Sequence, residues 1–303
     1  MGLLQEGRWV DQWYDTDTTG GSFQRQDSVF RHSIAQGGEF PPESGRYHLY
    51  VSLACPWAHR ALVFRVLKGL EEHISVSSVD ALMLANGWEF SEGDPLYDKR
   101  FLYELYLLAD PSYEGRVTVP VLWDKQKETI VNNESADIIR LFNSAFDGVT
   151  DNRDDFYPEA LRGQVDAVNE RVYHDINNGV YKAGFATTQS VYEAEYDRVF
   201  AALDWLEGLL STRPYLVGDQ LTEADWRLWT TLVRFDAVYH GHFKLNHKRL
   251  IDYPNLSNFT TRLMALPGIA YTVDLGHIKQ HYYGSHKTIN PSGVVPKGPL
   301  AIG

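Results

Sequence analysis

Residues 46–70, RYHLYVSLACPWAHRALVFRVLKGL, decide how the rest of the chain is read. Arg46 to Ala54 form a strand-like run that ends at Cys55, and Pro56 stands where a first helical turn accepts a residue lacking an N–H. Ala61, Phe64, Val66, Leu67 and Leu70 follow at largely helical spacing, with Gly69 closing the helix. Cys55 therefore sits where a strand hands over to a helix. Backbone N–H groups and the positive end of the helix dipole point at such a sulfur, favouring thiolate over thiol and lowering its pKa from the usual ~8.5. The competing reading of a lone cysteine is a small buried hydrophobe.

Working outward, ISVSSVD (74–80) reads as a second short strand, and Trp88 lies in a loop followed by an aromatic segment. RVTVPVLWD (116–124) reads as a third strand interrupted by Pro120. ETIVNNESADIIRLFN (128–143) reads as a fourth strand and a helix. This order suits a small mixed sheet with helices on its faces. Residues 1–45 are rich in Gly, Asp, Thr, Ser and Pro and are expected to be an irregular lead-in. Residues 146–158, dense in Asp and ending in Pro158, read as a linker.

From 159 to 290 the period is helical. Tyr196, Val199, Leu203, Leu206 and Leu210 mark one helix face, and Thr222-Glu223-Ala224-Asp225 reads as a capping box launching WRLWTTLVRFDAVYH. The tail, 291–303, is Pro- and Gly-rich and expected to be extended. The fold class is thus an α/β domain over 46–145 followed by an all-helical domain.

Composition narrows the function. The 303 residues carry 28 Lys+Arg against 40 Asp+Glu, a net charge of −12, which disfavours binding to nucleic acid or anionic lipid. A single cysteine excludes an internal disulfide and any multi-thiolate metal site. No run approaches the ~18 apolar residues of a membrane span. MGLLQEGRWV shows no basic region ahead of an apolar one, Glu6 stands where a myristoylation motif wants Ser or Thr, and cytoplasm is the expected location. His277 and His281 have the i, i+4 spacing of helical zinc ligands, but no H-E-x-x-H completes it, so no metal is expected. No Gly-rich stretch has phosphate-loop spacing.

Three signals carry chemistry together. Cys55-Pro56-Trp57-Ala58 resembles a C-x-x-C redox box without its second cysteine, so an external thiol must complete any disulfide exchange, glutathione being the simplest. Val119-Pro120, if cis, leaves backbone groups able to bind an extended peptide; an ordinary trans edge-strand proline is the plainer reading. Glu134-Ser135 ahead of ADIIRLF can hold an amino-acid zwitterion, with Ser135 as an ordinary N-cap the alternative.

In this order, over about residues 5–295, the chain resembles the glutathione transferase superfamily, a thioredoxin-like N-terminal domain with an all-α C-terminal domain. More narrowly, SLACPWAHR, GRVTVPVLWD, NNESADIIR, GVYKAGFA, EADWRLWTTLVRFDAVYHGHFK and IKQHYYGSH resemble the Xi class, the glutathionyl-hydroquinone reductases. The resemblance implies that Cys55 is the nucleophile, that Trp88 packs on glutathione, and that Arg116, Val117, Thr118, Val119 and Pro120 bind its middle and glycyl end. It implies too that Glu134 and Ser135 bind the γ-glutamyl head and that Tyr181, Tyr239 and Tyr282 line a quinol pocket. Tyr181 is then the acid, while Tyr239 and Tyr282 orient the ring and stabilise the Cys55 thiolate. Glutathione is a co-substrate, and a homodimer is expected. Rival readings are an omega-like thiol transferase or dehydroascorbate reductase, and a non-catalytic interaction module on the same fold.

Overall fold

In the computed structural model, which describes residues 2–302, the Arg46 run becomes the buried strand β3; Met1 and Gly303, the ends of the lead-in and tail, lie outside the described residues. Two short strands precede it, β1 (Leu3–Gln5) and β2 (Arg8–Val10). They pair antiparallel through a turn at Glu6 (φ 50°) and Gly7 (φ 70°). Positive φ at both central residues is the hairpin geometry that matches strand twist, and Gly7 adopts it without a Cβ clash. The lead-in is therefore not irregular throughout. Three-residue strands are too short to display a period.

Every residue of β3 (Tyr47–Val51) is buried, and the strand is central, with β4 (Ile74–Ser78) paired parallel along one edge and β6 (Val121–Asp124) antiparallel along the other. A central strand covered on both faces reads as a continuous buried run. Arg46 ties β3 to β6 through Nε to the buried Asp124 carboxylate at 2.9 Å. Between β3 and β4 runs α1 (Pro56–Leu67), with Pro56 in its first turn. Gly69 (φ 64°) ends it: its N–H donates to Val66 O at 3.0 Å and that of Leu70 to Arg65 O at 2.8 Å, a Schellman closure.

The aromatic segment after Trp88 contains a helix the sequence reading did not foresee, α2 (Leu102–Ala109), whose Glu104 accepts the amides of Arg100 and Phe101 at 3.0 and 2.9 Å. The next difference is in RVTVPVLWD. It is two strands in two sheets: β5 (Gly115–Arg116) pairs with β1, whereas Val121–Asp124 lies beside β3. Pro120, which has no N–H to give a ladder, separates them. The sheets run β2-β1-β5 and β4-β3-β6-β7, with β7 (Thr129–Asn132) at the edge. Lead-in residues line that edge: Arg31 bridges Asn132, and His32 N donates to Val131 O at 3.0 Å. Helices α3 (Ser135–Ser144) and α4 (Asp147–Thr150) follow.

The later helices are α5 (Arg162–Val172), α6 (Gly179–Gly184), α7 (Gln189–Leu210), α8 (Glu223–Leu232), α9 (Pro254–Met264) and α10 (Leu275–Ser285). Val199, Leu203, Leu206 and Leu210 are buried on α7 as the spacing predicts, while Tyr196, read on the same face, is half-buried. The capping box forms as read: Asp225 Oδ2 accepts the Thr222 amide at 2.8 Å and its hydroxyl at 3.1 Å, and Oδ1 accepts Leu216 N at 2.8 Å. All ten residues of α8 are buried. The expected single helix through Tyr239 instead breaks after α8 and resumes as a π-turn, Phe235–Tyr239; a second π-turn, Tyr173–Asn177, precedes α6. Wider turns of this kind re-aim the side chains beyond them.

The chain divides into two compact units. One joins the residues up to Trp13 with Gln26–Asp154, and the other joins Tyr14–Arg25 with the residues from Asp155 onward. The lead-in is thus shared, its 14–25 segment belonging with the helices.

Candidate active site

In the first unit the site is built from chain ends of regular elements. Cys55 is the N-cap of α1, and its sulfur accepts the Ala58 amide at 3.5 Å. The same sulfur lies 3.6 Å from Val119 O, to which the thiol donates. Cys55 is partly exposed, whereas its neighbours Ala54 and Pro56 are buried. A sulfur at a helix N-terminus, within reach of solvent, is the environment in which a thiolate forms and reacts.

Val119, just before Pro120 across a cis peptide bond, thus faces the sulfur through its carbonyl. Thr118 is held by Tyr106, whose hydroxyl donates to Thr118 O at 2.8 Å. Asn133 Nδ2 donates to the same Tyr106 hydroxyl at 3.2 Å, so one fully buried phenol ties the 117–120 segment to the turn ahead of α3. Val117 and Trp88 are buried, and Trp88 O accepts the amide of Leu102 at 3.0 Å. The Arg116 guanidinium donates to the carbonyls of Gln12 and Trp13.

At the start of α3 the N-cap is Glu134, not Ser135. Glu134 Oε1 accepts Ala136 N at 3.0 Å, and its Oε2 accepts the Ser28 hydroxyl at 3.1 Å. Ser135, buried at the first helical position, donates to Glu134 Oε1 at 3.4 Å and accepts from Arg60 Nη1 at 3.5 Å. Arg60 in turn lies over the Trp57 ring at 4.5 Å. Carboxylate, hydroxyl and helix-start amides thus converge at one point, a donor and acceptor set suited to a zwitterion. Tyr106, Ser28 and Arg60 escaped the sequence reading because nothing local marks them; each acts on a residue distant in the chain.

In the second unit three helical stretches bring Tyr181, Tyr239 and Tyr282 together. The Tyr181 and Tyr282 hydroxyls are 2.5 Å apart, and those of Tyr239 and Tyr282 are 3.4 Å apart. Burial, and then the neighbouring Tyr181 and Tyr239 phenols, push the Tyr282 hydroxyl well above the usual tyrosine range, while Arg234 pulls it down. Tyr282 therefore keeps its proton at neutral pH. Phe243 packs beside the group, 5.5 Å from the Tyr181 ring; a Cβ on Gly184 would meet Phe243 at 2.2 Å, so only glycine admits that approach. His242 and His286 share a hydrogen bond of 3.0 Å behind Phe243, and burial lowers His242 to about 4. Among the described residues no group of three or more His, Cys, Asp or Glu is arranged to hold a metal.

The first unit thus presents a nucleophilic sulfur beside a peptide- and zwitterion-binding framework, and the second a set of phenols able to give and share a proton. Residues 54–145 match the family "Glutathione S-transferase, N-terminal domain" and residues 189–262 match "Glutathione S-transferase, C-terminal domain". The glutathionyl-hydroquinone reductase YqjG of Escherichia coli is 55% identical, over 99% of this chain and 95% of its own. Its glutathione-bound structure superposes with a TM-score of 0.88, covering 90% of this chain and 93% of that one. The glutathionyl-hydroquinone reductase PcpF of Sphingobium chlorophenolicum is 54% identical over 99% and 96%. The glutathione-S-transferase Xi of Phanerochaete chrysosporium is 50% identical, with a TM-score of 0.90 over 92% and 98% of the two chains. With relatives this close along its whole length, the chain belongs to the glutathione transferase superfamily and, within it, to the Xi class that includes the glutathionyl-hydroquinone reductases.

Proposed function

We propose that the protein reduces glutathionyl-hydroquinones to hydroquinones at the expense of glutathione. The observation that carries this reading is the triad of buried tyrosines with hydroxyls 2.5 and 3.4 Å apart, for which a reaction confined to sulfur has no use. The Cys55 thiolate attacks the sulfur that joins glutathione to the ring. A sulfur–sulfur bond forms, the carbon–sulfur bond breaks, and its electron pair passes to the ring carbon, which takes a proton from Tyr181. Tyr282 and Tyr239 orient the ring, steady the phenolate left on Tyr181 and support the Cys55 thiolate. A second glutathione then attacks the Cys55–glutathione disulfide as thiolate, returning its proton to Tyr181, and leaves as oxidised glutathione.

Glutathione is held with its γ-glutamyl head at Glu134 and Ser135, its middle and glycyl end along Arg116 to Pro120, and Trp88 against it. The glutathione-binding and helical domains extend over 46–145 and 159–290, joined by 146–158. The enzyme works in the cytoplasm as a homodimer, in keeping with its family; no helix among the described residues is long and apolar enough to cross a membrane.

A product assay tests the reading. The enzyme is offered glutathionyl-hydroquinone or dehydroascorbate with excess glutathione. Hydroquinone release faster than dehydroascorbate reduction is expected; the reverse order makes the protein an omega-like reductase.

A further inference from the structure

The lead-in segment that belongs with the helices ends at Arg25. Its guanidinium lies over the Tyr181 ring, 5.3 Å from the centroid, and 5.5 Å from that of Phe23. It is tethered there: Arg25 Nε donates to Asn178 Oδ1 at 3.2 Å. Asn178 is buried and caps α6, and its carbonyl accepts the Tyr181 amide at 3.0 Å. One residue thus places both the cation and the phenol beneath it. The segment is anchored further by Thr187 N donating to Gly21 O at 3.2 Å, and Phe23 is buried against Phe185 at 5.4 Å.

Five other rings pack around Tyr181. Phe23, Phe185 and Phe243 are neutral rings, and Tyr239 and Tyr282 are phenols. Arg234 acts on Tyr282, and His242 and His286 behind Phe243 are kept neutral by burial. A cation over an aromatic face is attracted by the ring, and more strongly once that ring is a phenolate. A phenol under an arginine therefore gives up its proton more readily than the same phenol without it.

We infer that Arg25 is a positioning residue for the ring-protonation step: held by Asn178 over Tyr181, its charge stabilises the phenolate that Tyr181 becomes on handing its proton to the ring carbon. The inference rests on the quinol-adduct reading above and adds to it the group that sets the acid's strength. Arg25 itself exchanges no electrons; the two that reduce the ring come from the sulfurs that end as oxidised glutathione. The proton leaves Tyr181 for carbon and returns from the second glutathione thiol.

The test compares wild type, Arg25→Gln and Arg25→Lys in two reactions: hydroquinone release from glutathionyl-hydroquinone, and exchange on the mixed disulfide of glutathione and 2-mercaptoethanol, which needs no carbon protonation. For Arg25→Gln the ratio of the first kcat to the second is expected to fall about tenfold, with the alkaline limb of the hydroquinone profile moved to higher pH. Arg25→Lys, which keeps the charge, is expected to recover most of the ratio. An unchanged ratio, or equal falls in both reactions with an unmoved limb, overturns the inference. A second measurement stands apart from turnover: the ultraviolet titration of Tyr181, taken as the difference between each protein and its Tyr181→Phe counterpart. Its midpoint should rise in Arg25→Gln, and an unmoved midpoint overturns the role of Arg25. Failure of the wild type to release hydroquinone, with a midpoint that does move, instead overturns the quinol reading alone.

Discussion

The two units solve the problem of placing reactive groups in opposite ways. In the first, sulfur, carbonyl and carboxylate lie at the ends of regular elements, so local backbone geometry aims them: Cys55 and Glu134 are both N-caps, and each accepts an amide of its own helix. In the second, the reactive groups are side chains from remote stretches, Tyr181 and Tyr282 being 101 residues apart and Tyr239 and Tyr282 43 apart. Chemistry built on caps survives many changes in packing. Chemistry built on a triad of buried hydroxyls depends on the packing of every helix that carries one.

The largest expected effect lies in the first unit. Cys55→Ser should lower hydroquinone release by about a thousandfold or more, because no other thiol exists in the chain. Substantial residual turnover in a steady-state assay would sink the cysteine mechanism and leave the tyrosines as the only catalytic set. Next in size, Tyr181→Phe should cost roughly a hundredfold in kcat on glutathionyl-hydroquinone, with mixed-disulfide exchange affected far less. Equal losses in both reactions would erase the division of labour between the units.

A smaller effect sharpens the comparison within the first unit. Tyr106→Phe removes the hydroxyl that links Thr118 to Asn133, and should raise KM for glutathione about tenfold while kcat at saturation changes little. A change confined to kcat would show that Tyr106 does not position the glutathione framework.

The smallest concerns stability, and each unit contributes. Burial lowers His48 in the first unit and His242 in the second to about 4, from an ordinary 6.5. The unfolded chain takes up these protons first, so their contribution is complete above about pH 6.5 and lost as pH falls toward 4. Asp225, raised by burial to about 6, works in the opposite sense, since the folded state then binds its proton before the unfolded one. His286, held well below its ordinary value by burial, acts with the other two histidines, so three groups favour unfolding on acidification against one, and stability should fall as pH drops from 6 to 4. Urea midpoints measured at pH 7 and pH 4.5 check this, and a midpoint that rises on acidification would contradict it.

The same contrast explains what could be read in advance. Strand, Cys55, Pro56 and helix follow one another closely, and the Thr222–Asp225 box spans four residues, so both declare themselves by spacing and form as read, save that the strand ends at Val51 and a turn precedes Cys55. The glutathione framework is legible less fully. Glu134 and Ser135 stand out, but which of them caps α3 depends on the Ser28 and Arg60 contacts, which the local text does not contain. The β1–β2 hairpin was invisible because its strands are too short to show a period, and the division of RVTVPVLWD between two sheets because the partners of its halves, β1 and β3, lie far back along the chain.

By itself, then, the sequence determined the α/β-then-helical order, the placement of Cys55 at a helix start and the capping of α8, because hydrogen bonds to neighbours within a few residues decide all three. The tyrosines it yielded only through resemblance to a family, since nothing in their spacing groups them among 18. Tertiary structure decided the rest: the register of the π-turns that aim Tyr181 and Tyr239, the contact of their hydroxyls with Tyr282, and the seat of Arg25 over Tyr181. Such contacts exist only once distant segments have packed, and the free energy that forms them is burial of the whole core, not any pattern in the segments themselves.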